Sequence, residues 1–411
     1  MTSPPWPEWL NAVWAKSVSG RPEQEGESLA RHTWSVLTTF SQMVRLHPWL
    51  PEYLGKPGLW NSLFWACWLH DLGKSCGQFQ TMLRGGPKWG HRHEVLSLLF
   101  LDWVAPCLSD EESIWVAASV ASHHKDAGSI FHLYPLPVEG VPDSLDGLVK
   151  DIPLSSLQGI RRWILECSEP WIRHLGLSEH GIEVPHMGGE DQIESLRQDG
   201  ASRIHCWLRA YRRWWDRLDR GDDNRPRTAS LALRGHINTS DHVASAHVAT
   251  QVRGIGADAG QLLLDWRMDP EKLYEHQKQS LDTRGNALLV APTGSGKTEA
   301  ALLWAVGQAR QGSDVPRLFY MLPYQASMNA MYNRLNSGHL LDQVGLEHSR
   351  SVLALYRYHL EEDASPAQAE RDSRAAKNLA RLHQYPVRVL SPYQLLKGPY
   401  RIRGYEALLN D

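Results

Sequence analysis

At 411 residues the chain is longer than one ordinary domain needs, and its 42% apolar content can fill two cores. A formal charge of −3 excludes a general polycation, so any nucleic-acid contact must come from local basic patches. Five scattered cysteines (Cys67, Cys76, Cys107, Cys167, Cys206) with no C-x-x-C pair exclude a disulfide framework or zinc ribbon and fit a reducing cytoplasm. No apolar run approaches the ~20 residues of a membrane span, and the opening "MTSPPWPEWLNAVWAKS" lacks the pattern of a signal peptide. The 20 histidines invite a search for metal ligands.

The first ~250 residues read as mostly helical. "SLARHTWSVLTTFSQMVRL" puts Leu29, Val36, Phe40 and Met43 on one face, which His32 shares. "GLWNSLFWACWLHDLG" is a second helix closed by Gly73, and "HEVLSLLFLDWVAPCL" a third, ending near Pro106. "SDEESIWVAASVASHH" is a fourth, capped by Ser109 or Asp110 with acids in its first turn. Residues 128–160 read as loop and 180–200 as loose. "RIHCWLRAYRRWWDRLDR" returns to helix, and "SDHVASAHVATQVRG" is one more, with Ser240 as cap. Residues 203–227 hold eight Arg, four Asp and three Trp. They could track a single strand. The favoured reading is an amphipathic helix with Cys206, Trp207, Ala210 and Trp214 toward the core.

Past residue 255 the pattern changes. "NALLVAPTGSGKTEAALLWAVGQA" is a strand, a Gly-rich loop and a helix; "PRLFYMLPYQASMNAMYNRL" and "YPVRVLSPYQLLKG" repeat that order. Such units in series imply a parallel sheet flanked by helices. The expected organisation is an all-α domain over 1–255, a linker over 256–270 and a partial α/β P-loop domain over 271–411. "APTGSGKT", Ala291–Thr298, is a Walker A loop with Ala in the place of its first Gly. Thr293, Gly294, Ser295 and Gly296 would cradle ATP phosphates, Lys297 would reach the β/γ-phosphates, and Thr298 would hold Mg²⁺. With these neighbours the half resembles the first RecA-like lobe of a superfamily 2 helicase. That resemblance implies that Gln277 reads adenine, and that Pro323, Gln325, Ser391 and Gln394 grip a single strand. No D-E-x-H tetrapeptide follows and the chain stops at Asp411, so a fragment or a shortened protein is expected, with ATP bound but neither efficient hydrolysis nor translocation.

His70 and Asp71, adjacent at the end of an apolar run, need partners if buried. His32, His93, His123, His124 and Asp241 each stand at a helix end or core face, with His91 as an alternative to His93. Imidazoles with carboxylates suit Mn²⁺, Fe²⁺, Co²⁺, Ni²⁺ or Zn²⁺ rather than Ca²⁺, and two such ions ~3.5–4 Å apart would clamp a phosphodiester and acidify an attacking water. Lys74, just past the Gly73 turn, is either a charge stabiliser or a helix-end cation.

"WLHDLGK", "RHE", "SHHK" and "SDHVAS" give the order H…HD…H…HH…D. It resembles the HD phosphohydrolase superfamily. Followed by the P-loop half, it resembles the CRISPR-associated nuclease-helicases of type I interference systems. One departure is Lys125 where the family usually has Gly. The resemblance implies that His32, His70, Asp71 and Asp241 hold one metal and His93, His123 and His124 a second, with Asp71 bridging and Lys74 facing the scissile phosphate. It also implies a monomeric, cytoplasmic nuclease for single-stranded DNA that works with a crRNA-guided surveillance complex. Rival readings are a hydrolase of small nucleotides, against which residues 270–411 speak, and a non-catalytic nucleic-acid-binding module.

Overall fold

The structure, a computed structural model, describes residues 4–17, 26–138, 140–185, 191–220, 224–246, 263–264, 267–308, 317–336, 340, 343–362, 364–381 and 385–396. Two compact units divide the chain, Met1–Val248 and Ala249–Asp411. The linker expected over 256–270 lies largely outside the described residues.

In the first unit a short antiparallel hairpin, β1 (Trp14–Lys16) and β2 (Glu27–Ser28), leads into α1 (Leu29–Leu46). The Ser28 side chain caps α1 by accepting from Arg31 N. There follow α2 (Leu50–Leu54), α3 (Leu59–Leu69), α4 (Gly77–Leu83), α5 (His93–Leu96), α6 (Asp110–Ser122), α7 (Ala127–Leu133), α8 (Ser144–Lys150), α9 (Leu154–His174), α10 (Asp191–Arg220) and α11 (Asn224–Ser245). Every residue of α3 is buried, so this helix has no polar face. It lies at the centre, packed against α1, α6 and α11. Trp68 stacks its ring 4.7 Å from Trp171 and 5.0 Å from Trp163 of α9, which ties α9 to the centre.

Several expected elements differ. α3 ends at Leu69, and a 3₁₀ turn over Leu72–Ser75 carries the chain past Gly73. The third expected helix is one α turn at 93–96 followed by 3₁₀ segments at Ser97–Trp103 and Ala105–Cys107. Ser109 caps α6 through a capping box with Glu112. The expected loop over 128–160 holds most of α7, all of α8 and the start of α9; Asp126 and Asp143 cap the first two of these helices. α10 starts at 191, inside the stretch read as loose. Its buried face is Ile204, Leu208, Tyr211 and Leu218, whereas Cys206 is exposed, because the 3.6-residue period carries it to the solvent side. Ser240 is no cap: it is a buried residue well inside α11.

In the second unit β3 (Leu318–Met321), β4 (Val344–Glu347) and β5 (Val387–Leu390) form a parallel sheet in the order β3-β5-β4. Helices at Gln325–Arg334 and Pro392–Leu396 follow β3 and β5 as the strand–loop–helix pattern implies. β4 and the helices Ser351–Glu361 and Pro366–Arg381 carry no motif and were not anticipated. The strand expected before the Walker A loop is not formed. Residues 286–290 have no ladder partner among the described residues, and Leu288 and Val290 stay 91% and 87% exposed. An apolar run becomes a strand only when a neighbour takes its backbone hydrogen bonds.

Candidate metal centre and P-loop

The ends of the helices around α3 place the polar side chains in its otherwise apolar surroundings. His70 is the C-terminal cap of α3 and Asp71 follows it; His93 opens α5; His123 caps the end of α6 with His124 next; His32 sits on α1 and Asp241 on α11. Two ligand groups result. Asp71, His93, His123 and His124 form one, and His32, His70 and Asp71 the other, with the ligand atoms of each group within 4.8 Å of one another. Asp71 belongs to both. Asp241 stands beside the second group, its Oδ1 3.2 Å from His32 Nε2 and 4.0 Å from His70 Nε2. His91 is in neither group; its ring lies 5.7 Å from that of Trp89.

Backbone detail links these elements. Gly73 N donates to Ser97 Oγ and Ser97 Oγ donates to the His70 carbonyl, both at 2.8 Å. A Cβ at Gly73 would meet the His93 carbonyl oxygen at 2.1 Å, so glycine lets the turn after Asp71 close on α5. Lys74 is buried and its Nζ lies 2.7 Å from Asp71 Oδ2.

The donor set fits a cation. His70 Nδ1 bonds the Cys67 carbonyl at 2.8 Å and His123 Nδ1 the Val120 carbonyl at 2.7 Å, which puts a proton on each Nδ1 and leaves each Nε2 facing the cluster. The Nε2 atoms of His70, His93 and His123 and Oδ1 of Asp71 are buried with no hydrogen-bond partner. Each such group costs about 1–3 kcal/mol unless something satisfies it. Burial would raise Asp71, but His70 and Lys74 beside it hold the carboxyl well below the usual range. Burial also opposes Asp241's charge, yet its hydrogen bond with His32 and the charge of His70 hold it low.

Burial pushes His123 down to about 3 and His124 to about 2, and keeps His236, packed 5.4 Å from Trp60, at about 3. All three are neutral in the fold and titrate near 6.5 when unfolded. As pH falls through 6.5 the unfolded chain binds protons first, so stability declines from there toward the folded values. Urea midpoints of metal-free protein are expected to drop between pH 7.5 and 5.5, and His236→Asn to flatten that decline by about 1.4 kcal/mol per pH unit below 6.5.

Some participants carried no sequence signal. Lys16 on β1 reaches Ser245 Oγ at 2.6 Å and His32 Nδ1 at 3.4 Å, and Ser245 Oγ donates to Asp241 Oδ1 at 2.9 Å. Glu27 on β2 lies 3.7 Å from His32 Nδ1. No spacing rule connects a hairpin lysine to a distant helix. The "RHE" segment did contain Glu94, which is fully buried beside His93.

At the P-loop, Gly294 and Gly296 have φ of 82° and 77°, a conformation that favours glycine. Lys297 Nζ donates to the carbonyls of Ala291 and Pro292 at 2.9 and 2.6 Å. Gln277 is buried; its Nε2 donates to the Gly296 carbonyl at 3.2 Å and its Oε1 accepts from Tyr274 N at 2.9 Å. His276 Nε2 bonds the Ser295 carbonyl at 2.8 Å. Thr298 is buried, while Thr293 is exposed and Ser295 half-buried. Pro323 and Gln325 follow β3, and Ser391 and Gln394 follow β5, the adjacent strand. Gln325 Nε2 donates to Ser349 Oγ at 3.0 Å.

Residues 274–363 match the DEAD/DEAH box helicase family, which supports ATP binding at this loop. Over 107 residues the chain is 34% identical to a CRISPR-associated nuclease/helicase Cas3 of Methanocaldococcus jannaschii, covering 26% of this chain and 15% of that protein. Over 112 residues it is 32% identical to the CRISPR-associated nuclease/helicase Cas3 of Methanothermobacter thermautotrophicus, covering 26% and 12%. The crystal structure of T. fusca Cas3-ATP matches 99% of the chain with a TM-score of 0.51 at 18% identity, and the chain spans 46% of that protein. The chain thus shares the fold of a Cas3 structure, and about a quarter of it is similar in sequence to Cas3 nuclease/helicases.

Proposed function

We propose that the chain is a metal-dependent nuclease for single-stranded DNA in CRISPR type I interference, joined to an ATP-binding helicase lobe. One observation carries this reading: a single buried carboxylate, Asp71, is shared by two clusters of histidines, and the Nε2 atoms of His70, His93 and His123 in them are buried with no hydrogen-bond partner. His32, His70, Asp71 and Asp241 hold one divalent ion and Asp71, His93, His123 and His124 the other, with Mn²⁺, Fe²⁺, Co²⁺ or Ni²⁺ suited to these donors. When bound, the ions supply Lewis acidity toward the phosphodiester and the attacking water.

The two clusters differ in access. His32, His70 and Asp71 are all buried, whereas His93 and His124 are partly exposed. Substrate therefore approaches the second cluster. Lys74 sets a cation next to Asp71 and stabilises the charge that develops on the phosphate. Mg²⁺–ATP at the P-loop is held by Thr293 to Thr298 with Gln277 behind it, and single-stranded DNA runs past Pro323, Gln325, Ser391 and Gln394. The partner is a crRNA-guided surveillance complex and the compartment the cytoplasm, where the chain acts as a monomer. No described helix is long and apolar enough to cross a membrane.

Cleavage of circular single-stranded DNA with Mn²⁺, Co²⁺ or Ni²⁺, without ATP, tests the proposal; no cleavage by folded, metal-loaded protein refutes it. Lys297→Ala separates the two units. It removes a charge-assisted contact of about 1.5–3 kcal/mol, so ATP affinity falls roughly 10- to 100-fold by equilibrium dialysis. ATP-independent cleavage stays at the wild-type rate; a parallel loss would tie the lobe to the chemistry.

A further inference from the structure

Three ligand histidines differ in how the far side of the ring is held. His70 and His123 stand at helix C-termini, where a carbonyl three residues back accepts the Nδ1 proton. His93 stands at the start of α5 and has no preceding helical turn to supply that carbonyl. Its Nδ1 instead lies 3.5 Å from Glu94 Oε2, while its Nε2 lies 3.0 Å from Asp71 Oδ1. Glu94 is fully buried, Arg92 Nε donates to its Oε1 at 2.7 Å, and its Oε2 has no hydrogen-bond partner. Tyr134 fixes the segment from outside, its hydroxyl accepting from Arg92 N at 2.8 Å. An acid that only favoured the first turn of a helix would sit in solvent. Full burial with one oxygen unspent calls for a nearby donor, and the His93 ring N–H is at hand.

We propose that Glu94 is the positioning residue of the second ion site: Oε2 accepts a hydrogen bond from His93 Nδ1–H, so Nε2 turns its lone pair to the ion, and Arg92 holds the carboxylate in place. This rests on the metal reading above. Outer carboxylates of this kind orient ligand histidines, and their loss typically weakens metal binding about 10- to 100-fold.

The test is Mn²⁺ equilibrium dialysis of the wild type and Glu94→Gln. The expected result is two ions in the wild type; in Glu94→Gln one ion keeps its affinity and the other weakens about 10- to 100-fold. Two ions of unchanged affinity, or equal weakening of both, overturn the positioning role while leaving the metal centre standing. Fewer than two ions in the wild type overturns the metal reading itself. Histidine ¹⁵N spectra of metal-free wild type give a check that does not depend on the variant folding. The His93 ring, assigned by its loss in His93→Gln, is expected to carry its proton on Nδ1 at pH 8.5, and a proton on Nε2 alone overturns the proposal.

Discussion

Asp71→Ala is expected to abolish the proposed cleavage of single-stranded DNA, with a loss of about 10³-fold or more, since it removes the carboxylate common to both ligand groups among the described residues. The same change leaves Lys74 buried without the partner now 2.7 Å away, and such unpaired buried charge costs about 3–5 kcal/mol. Activity and stability therefore fall together, and one must be separated from the other. Asp71→Asn keeps the volume, and Asp71→Ala/Lys74→Met removes the stranded ammonium. If Asp71→Asn keeps its urea midpoint yet cleaves at background rate, Asp71 acts in the chemistry. Cleavage restored along with the midpoint in the double variant would reduce Asp71 to a counter-ion. Metal content is the third readout: each variant is expected to lose both ions, as a shared ligand should.

Trp68→Ala has the largest expected effect on the fold. The ring is fully buried, and beyond Trp163 and Trp171 it meets Phe64 at 5.8 Å and Trp65 at 5.9 Å. Truncation leaves a cavity that four other rings cannot fill without leaving their rotamers, at a cost of about 3–5 kcal/mol. Trp68→Phe is expected to cost far less. The Trp68 Nε1–H is buried without a partner, so phenylalanine removes an unmet donor along with part of the ring. Urea titrations read by near-ultraviolet circular dichroism give the midpoints. Equal shifts for the two variants would mean that the indole edge, not the ring stack, sustains the packing. Trp68 lies two residues before His70, so the alanine variant is also expected to bind Mn²⁺ more weakly.

The side chains that the fold brings together around Asp71 were legible because each is a rare event at its position. A His-Asp pair closing an apolar helix, or two adjacent histidines ending one, has no cheap explanation in a core. The residues around them were not legible. Lys16 and Glu27 act from a hairpin whose pairing has no motif, and Ser245 differs from any helical serine only by what lies across from it. The P-loop was read from its glycines, but the strand before it was not formed, because apolar alternation specifies a face and not a neighbour. The helices within 144–174 were hidden by Pro, Gly and Ser: Ser144 and Pro153 stand at the helix starts, while Gly147 and Gly159 lie inside the helices. Cys206 shows the limit of face counting: Trp207 and Trp214 of the face so read do pack against the core, whereas Cys206 is exposed.

The packing of α1 on α11 has a consequence for how the protein is made. These helices lie at opposite ends of the first unit in sequence, and α3, wholly buried, needs both as cover. Contacts this distant in sequence form slowly, and they cannot form at all until the last helix has left the ribosome. For most of its synthesis the α3 segment is therefore an exposed greasy stretch awaiting its final cover, a natural client for chaperones. The same arrival of α11 delivers Asp241 to His32, so closing the core and assembling the centre are one event in the life of the chain.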